Sequence, residues 1–175
     1  PGRIDVRITA WAASREAATE IATGVEAEIR ARLGRAVYGA DEDTLAGAAA
    51  DLLGGRGWSI AAVECGLGGT LLRSLAQSTE SLRRAHLVRD LSGHGLQASV
   101  QALRTDGGAD VGVGALLQRE RSGWRARVVV ASPLGTAGFS RALAGPEDVA
   151  AERTAVLAMD CLRRHLEDAG ASDQG

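Results

Sequence analysis

The chain has 175 residues, of which 45% are hydrophobic and 24% are charged, with a formal net charge of -2 at pH 7. This length and composition predict a soluble globular protein of one or two small domains. The absence of a basic excess argues against nucleic acid and membrane surfaces as partners. The most apolar stretch, residues 125–134, is too short to cross a bilayer. Cys65 and Cys161 lie far apart and predict no disulfide framework, so we expect a cytoplasmic protein.

The first forty residues predict a small β-α-β unit. Residues 3–11 alternate polar and apolar side chains, which is typical of a half-buried strand. Ser14 can cap a helix whose apolar stripe runs to Leu33, and Gly34 can end that helix. Residues 35–39 predict a second short strand. A unit this small has little core of its own and must pack against something else.

The rest of the chain predicts alternating helices and strands. Asp41 or Asp43 can cap a helix that ends at Gly54. The predicted elements that follow are a strand and glycine turn over residues 59–69, a helix from Thr70, a strand over residues 85–91, a helix over residues 95–104, a hairpin of residues 109–117 and 124–132, a strand over residues 139–143, and a last helix after Pro146. We expect a disordered tail from Gly170. This order predicts an α/β fold in which the β-α-β unit precedes a three-layer α/β/α domain with a mixed sheet.

Residues 64–70, here called the elbow, are the best candidate for chemistry. Gly66, Gly68 and Gly69 give the backbone the freedom to reverse from a strand into a helix. The N–H groups of a helix start favour an anion or a developing oxyanion, and Cys65 stands beside them. The glycine spacing matches neither the P-loop nor the dinucleotide fingerprint. We predict no cofactor and no metal.

Two residues of the elbow have alternative interpretations. Cys65 can be a nucleophile, because a helix start lowers the pKa of a thiol, or a small core residue, which the usual burial of cysteine favours. A nucleophilic thiol needs a base, and only His86 and His94 are histidines close enough in sequence to be considered. Glu64 either accepts backbone hydrogen bonds within the elbow or pairs with an arginine.

Several segments resemble the CinA family of competence/damage-inducible proteins, which combine a KH-like middle domain with a C-terminal nicotinamide-nucleotide amidase domain. The matching segments are the domain junction at residues 33–45, the family's Ala-Glu-Ser-Cys-Thr-Gly-Gly motif at residues 63–69, its Gly-Ala-Asp strand entry at residues 108–112, and its closing helix at residues 147–166. The resemblance implies a KH-like unit over residues 1–40, an amidase-like domain over residues 41–169 and a tail over residues 170–175. It also implies a molybdopterin-binding-like domain before Pro1.

The catalytic set of the family is only partly matched. The family's serine nucleophile, which works with a tyrosine and a lysine, aligns with Cys65. This chain contains no lysine, and its single tyrosine, Tyr38, precedes the predicted amidase-like domain. The family's Thr-Gly-Ile-Ala-Gly-Pro loop is replaced by residues 115–120, and the region between the elbow and the Gly-Ala-Asp strand is shorter. The family's arginine pair aligns with Pro146 and Ala150, which leaves Arg153 as a candidate substitute.

Three hypotheses about function follow. The missing residues favour a degenerate, non-catalytic relative of nicotinamide-nucleotide amidase with a structural or ligand-binding role. The alternative is an active amidohydrolase that deamidates a nicotinamide nucleotide with Cys65 as its nucleophile. An RNA-binding module is the least supported, because residues 1–39 lack the Gly-x-x-Gly clamp loop of nucleic-acid-binding KH domains.

The ligand-binding version of the first hypothesis names a set of residues. The expected ligand is a nucleotide or another phosphate-containing small molecule. Its candidate binding residues are Glu64, Gly66, Gly68, Gly69, Thr70 and Arg153. The resemblance to the family also implies a homo-oligomer.

Overall fold

The structure, a computed structural model, describes the backbone of residues 4–172 and the side chains as far as residue 168. Its helices are α1 (Arg15–Leu33), α2 (Leu45–Gly54), α3 (Thr70–Ser78), α4 (Gly95–Asp106) and α5 (Glu147–Ser172), with a 3-10 turn at Gly34–Ala36. Its strands are β1 (Ile60–Cys65), β2 (Leu82–Val88), β3 (Val111–Glu120), β4 (Gly123–Ser132) and β5 (Gly135–Leu143). The predicted α/β class is confirmed.

The five strands form one mixed sheet in the order β2-β1-β3-β4-β5. β1 is parallel to both β2 and β3, whereas β3, β4 and β5 form an antiparallel meander. The β3–β4 hairpin closes where Glu120 pairs with Gly123, at the turn that the sequence predicted. β1, at whose carboxyl end the elbow begins, is therefore an interior strand with a parallel neighbour on each side.

Helices cover both faces of the sheet, as a three-layer α/β/α arrangement requires. Alternation along β1 sends Ile60 and Ala62 into a core shared with α2, α3 and α5. Ala61 and Val63 point to the opposite face, into a smaller core shared with α4. Every residue of β1 is buried, which explains its continuous apolar sequence up to Glu64.

The two strands predicted for the β-α-β unit are not formed in the described residues. Residues 4–11 have no regular secondary structure, Arg3 lies outside the described residues, and residues 37–39 continue irregularly after the 3-10 turn. The helix between them is present as predicted, with the Ala17 N–H donating to the Ser14 Oγ at 3.2 Å. α1 buries none of its residues, and Trp11 is 88% exposed. A strand needs partners for its backbone groups, and no strand of the described sheet pairs with this segment.

Other element boundaries shift for local reasons. Thr44, and neither Asp41 nor Asp43, caps α2, because its Oγ1 accepts from the Gly47 N–H at 3.0 Å. Asp43 instead accepts from the Ala40 N–H at 2.9 Å. β2 begins three residues before the predicted strand because it pairs with β1 from Leu82 onward. α5 continues past Gly170 to Ser172, where the sequence predicts a disordered tail, and residues 173–175 lie outside the described residues.

Within residues 4–172, no helix combines the length and the apolar character that crossing a bilayer would require.

Candidate functional site

The elbow is built as a strand-to-helix turn with left-handed glycines. Gly66, Gly68 and Gly69 have φ angles of 78°, 64° and 89°, a region that side chains disfavour. Gly66 has a second constraint besides its φ angle, because a Cβ there would collide with the backbone oxygen of Leu117 on β3. The predicted turn is therefore confirmed, and its glycines are needed for backbone geometry.

Glu64 occupies the start of α3 with its own carboxylate. It is fully buried, and its Oε2 accepts from the N–H groups of Leu71 and Leu72 at 3.0 and 3.1 Å. Its Oε1 accepts from the Gly69 N–H. Of the two interpretations of Glu64, the structure confirms that it orients the elbow through backbone hydrogen bonds. A carboxylate in this position also interacts favourably with the positive end of the helix dipole.

The remaining N–H groups at the start of α3 are also occupied. Thr70 donates its N–H to the Leu67 carbonyl at 3.2 Å and its Oγ1 hydroxyl to the same carbonyl at 2.8 Å. Arg73 donates its N–H to the Gly69 carbonyl at 2.9 Å. Every backbone donor from Gly69 to Arg73 therefore has a partner inside the protein. An external anion at this helix start would have to displace Glu64 or break the first turn.

Cys65 faces away from α3. It belongs to the core under α4, where it lies among residues such as Val63, Leu96 and Val100, and its side chain is buried. Burial raises the pKa of its thiol, the negative charges of Asp90 and Glu64 add to the rise, and a hydrogen bond with the backbone of Leu91 opposes it. The thiol is therefore protonated at neutral pH. The strand alternation that points Glu64 towards α3 points Cys65 to the other face of the sheet.

The groups predicted to assist Cys65 are not assembled around it. His86 lies on β2, where it pairs with Val63 of β1, and His94 precedes α4. Both are exposed, and among the described residues neither forms a hydrogen bond with Cys65. Arg153, the candidate substitute for the family arginines, is exposed and directs its Nη1 to the Ala144 carbonyl at 3.4 Å. The structure thus joins Glu64, Gly69 and Thr70 in one hydrogen-bonded turn and leaves Arg153 outside it.

No group of three or more histidine, cysteine, aspartate or glutamate side chains that could hold a metal ion occurs within the described part of the chain.

Residues near the carboxyl end of α5 form a polar network that the sequence did not indicate. Arg163 is 2% exposed and donates to the Arg35 carbonyl at 2.7 Å and to the carboxylates of Asp160 and Glu167. Arg35 in turn binds the Arg164 carbonyl at 2.7 Å and pairs with Glu167 at 3.2 Å. The network joins the 3-10 turn to α5. Arginine fits this role because one planar fork can serve several acceptors.

A second unpredicted contact lies at the opposite end of the sheet from the elbow. The Oγ of Ser132, at the end of β4, is 2.8 Å from the Nε2 of His165 on α5 and accepts from the Leu134 N–H at 3.1 Å. Burial lowers the pKa of His165, and the charge of Asp168 partly opposes this. The hydroxyl hydrogen is free to donate to Nε2 when the imidazole is neutral.

We expect stability to fall in mildly acidic solution because of His165. Its folded-state pKa lies below the ordinary 6.5, so below that pH the unfolded chain takes up a proton that the folded protein resists. The stability contributed by neutral His165 is complete above pH 6.5 and is lost as the pH falls below it. Urea unfolding as a function of pH should show a steeper loss for the native protein than for His165→Gln. Equal slopes would contradict this role.

Comparisons with known proteins point to a single family. Residues 1–39 match the family model described as the damage-inducible protein CinA KH domain. A CinA-like protein of Deinococcus deserti is 32% identical over 185 residues, which cover 93% of this chain and 45% of that protein. A CinA-like protein of Thermomicrobium roseum is 47% identical over 74 residues, which cover 42% of this chain and 18% of that protein.

Solved structures share the fold. A competence-damaged protein (CinA) superfamily protein from Klebsiella pneumoniae aligns with a TM-score of 0.64 at 15% identity, covering 71% of this chain and 96% of its own. A competence or damage-inducible protein from Enterobacter asburiae aligns with a TM-score of 0.62 at 13% identity, covering 71% and 99%. The chain belongs to the CinA family. It spans less than half of the length of the two curated relatives described above.

Proposed function

We propose that this chain is a non-catalytic member of the CinA family in which the elbow serves as a structural turn. The observation that carries the proposal is the environment of Cys65, the residue in the place of the family's nucleophile. Its thiol is buried beneath α4, its pKa is raised, and among the described residues no histidine forms a hydrogen bond with it. Because the thiolate is the reactive form, a thiol held protonated is a poor nucleophile.

The start of α3 supports the same proposal. Acyl transfer from an amide needs N–H donors aimed at the developing oxyanion. In this chain Glu64 takes the N–H groups of Gly69, Leu71 and Leu72, and Thr70 bonds to Leu67. The elbow therefore offers no activated nucleophile, and the start of α3, from Gly69 to Arg73, offers no free pair of backbone donors. The chain also contains no lysine, one of the two residues with which the family's serine nucleophile works.

We expect the purified protein to release no ammonia and no nicotinate mononucleotide from nicotinamide mononucleotide. The assay should separate the nucleotides by chromatography and include a family relative with the complete serine, tyrosine and lysine set as its positive control. Turnover by the native protein that disappears in Cys65→Ala would establish the alternative, an amidohydrolase with a cysteine nucleophile. Turnover retained in that variant would indicate a contaminating enzyme.

Thiol reactivity provides an independent check. Burial raises the pKa of Cys161 to about 11, and the pKa of Cys65 is raised as well, so both should react slowly with a disulfide reagent at neutral pH. The variant Cys161→Ala isolates the response of Cys65. Fast modification of Cys65 in that folded variant, close to the rate in the denatured chain, would count against a buried, protonated thiol.

Two expectations from the sequence, a ligand bound at the elbow and assembly into a homo-oligomer, are separate from this proposal and have their own tests. Calorimetry with nicotinamide mononucleotide and with phosphate tests the binding role of Glu64, Gly66, Gly68, Gly69, Thr70 and Arg153. Heat no greater than that of dilution would remove this role and leave the structural one. Sedimentation velocity tests the oligomer, and a single species with the mass of one chain would exclude it.

A further inference from the structure

A cavity of about 470 Å³ lies open to solvent where the start of α4 meets the last two strands. α4 packs mainly against β1 and β3 and also contacts β4. Within the described residues, no helix covers the part of this face that continues onto β5. We call this space the α4–β5 cavity. The polar and glycine residues that line it are Gly93, Gln97, Arg127, Thr136, Gly138 and Ser140.

The strand register explains why polar side chains meet there. Arg127 pairs with Ser140, and two residues along the hairpin Val129 pairs with Gly138, so these four positions share one face of the sheet. On its other side, Arg127 of β4 pairs with Leu116 of β3, and Leu116 pairs with Cys65 of β1. Leu116, which is fully buried, thus separates the α4–β5 cavity from Cys65.

The guanidinium of Arg127 is held in place and carries unused donors. Its Nη1 donates to the Gln118 Oε1 at 2.9 Å, and the Gln118 Nε2 donates to the Leu91 carbonyl at 3.1 Å, so both ends of that amide are fixed. Among the described residues, Arg127 forms no ion pair, and its Nε and Nη2 donate no hydrogen bond to the protein. This is the edge of the guanidinium that matches a carboxylate or a phosphate.

The acidic side chains near the α4–β5 cavity do not pair with Arg127. No acidic side chain is among the residues that line it. Glu120, whose pKa is lowered first by Arg125 and also by the charge of Arg127, binds Arg125 with both oxygens at 3.0 Å. Arg127 is therefore the charged side chain of the cavity, and no carboxylate of the described protein contacts it.

Gly93 makes room for this arginine. A Cβ at position 93 would collide with the Nη1 and Cζ of Arg127. Gly93 does not have a positive φ, so space for the guanidinium is the requirement that the structure shows at this position. An alanine there would displace the tip of Arg127 without straining the backbone.

We propose that the α4–β5 cavity binds a small polyhydroxylated anion through Arg127. The phosphate or carboxylate of such a compound would lie on the Nε and Nη2 of Arg127. The exposed hydroxyls of Thr136 and Ser140 and the amide of Gln97 would bond its hydroxyl groups. The volume falls within the range of small-molecule sites. The proposal goes beyond the non-catalytic function and does not depend on it, since it involves neither Cys65 nor the start of α3.

Titration of the whole chain by NMR with ribose 5-phosphate, gluconate and neutral ribose tests this site. We expect saturable millimolar binding of at least one of the two anions, centred on the amide signals of residues 93–97 and 136–140, and much weaker binding of ribose. Tighter binding of ribose 5-phosphate would identify a phosphate ligand, and tighter binding of gluconate a carboxylate. Both results support the site.

Three variants make the test specific. Arg127→Gln and Gly93→Ala should each weaken anion binding by about tenfold or more, the usual effect of losing a charge-assisted hydrogen bond. Arg125→Gln, on the same strand but paired with Glu120, should leave the affinity within about twofold. Unfolding curves would verify that each variant is folded. No saturation with either anion, equal binding of ribose, or unchanged binding by Arg127→Gln would overturn the proposal, and none of these results would affect the proposal about Cys65.

Discussion

Replacing Glu64 with alanine is expected to destabilise the protein by about 3 kcal/mol, or to lower its melting temperature by roughly 6–12 °C. The reason is that the substitution removes a buried carboxylate from three backbone N–H groups, those of Gly69, Leu71 and Leu72, at the start of α3. A buried donor without a partner carries its full desolvation cost. Glu64→Gln should show a smaller loss, because one oxygen acceptor remains.

The matched control is Glu152→Ala on α5, where the side chain is exposed. It should change the melting temperature little, since an isolated surface carboxylate contributes little to stability. If the two alanine variants had the same melting temperature, the carboxylate of Glu64 would not be what stabilises the elbow. The comparison separates the loss of a negative charge from the loss of a buried acceptor.

The second large effect is expected from Gly66→Ala measured beside Gly68→Ala. Both glycines have positive φ angles, 78° and 64°, so both substitutions incur the left-handed conformational cost of about 1–2 kcal/mol. At position 66 the new Cβ also meets the Leu117 backbone oxygen, whereas at position 68 no atom lies within 4 Å. We therefore expect Gly66→Ala to lower the free energy of unfolding by about 2 kcal/mol more than Gly68→Ala does, because β1 and β3 must move apart.

Urea unfolding of both variants measures that difference directly. Similar losses of unfolding free energy would show that the left-handed backbone conformation alone determines the destabilisation, and that β3 moves to accommodate the extra methyl group. A large loss confined to Gly66→Ala would place the tightest constraint on the elbow at its contact with the neighbouring strand.

The parts of the fold that the sequence predicted are those fixed by local signals. The β3–β4 hairpin follows from alternation and from Gly123, and the elbow follows from an apolar strand that ends in glycines. The prediction of a strand over residues 3–11 was wrong, because the alternation of polar and apolar side chains shows only that a segment is able to pair with another strand. In the described structure no strand of the sheet pairs with residues 4–11.

The candidate site was less predictable, for two physical reasons. The period of a strand already implied that Glu64 and Cys65 point to opposite faces, but only the placement of α3 and α4 decides which face meets the helix start. The grouping of Gly93, Gln118 and Arg127 depends on three separate segments meeting in space, and no local pattern indicates it. Arg163, buried within an amphipathic helix, resembles an ordinary surface arginine in the sequence.

The network around Arg163 affects how the chain can be divided. The predicted boundary between its two units falls at residue 40, yet the Arg35 carbonyl is the backbone acceptor for the buried guanidinium of Arg163. A chain truncated to begin at residue 41 would leave the Nη2 of Arg163 without that acceptor and would remove the Arg35 guanidinium from the carboxylates of Glu167 and Asp168. The smallest piece that keeps the contacts of α5 therefore begins before Arg35 and retains the connecting turn.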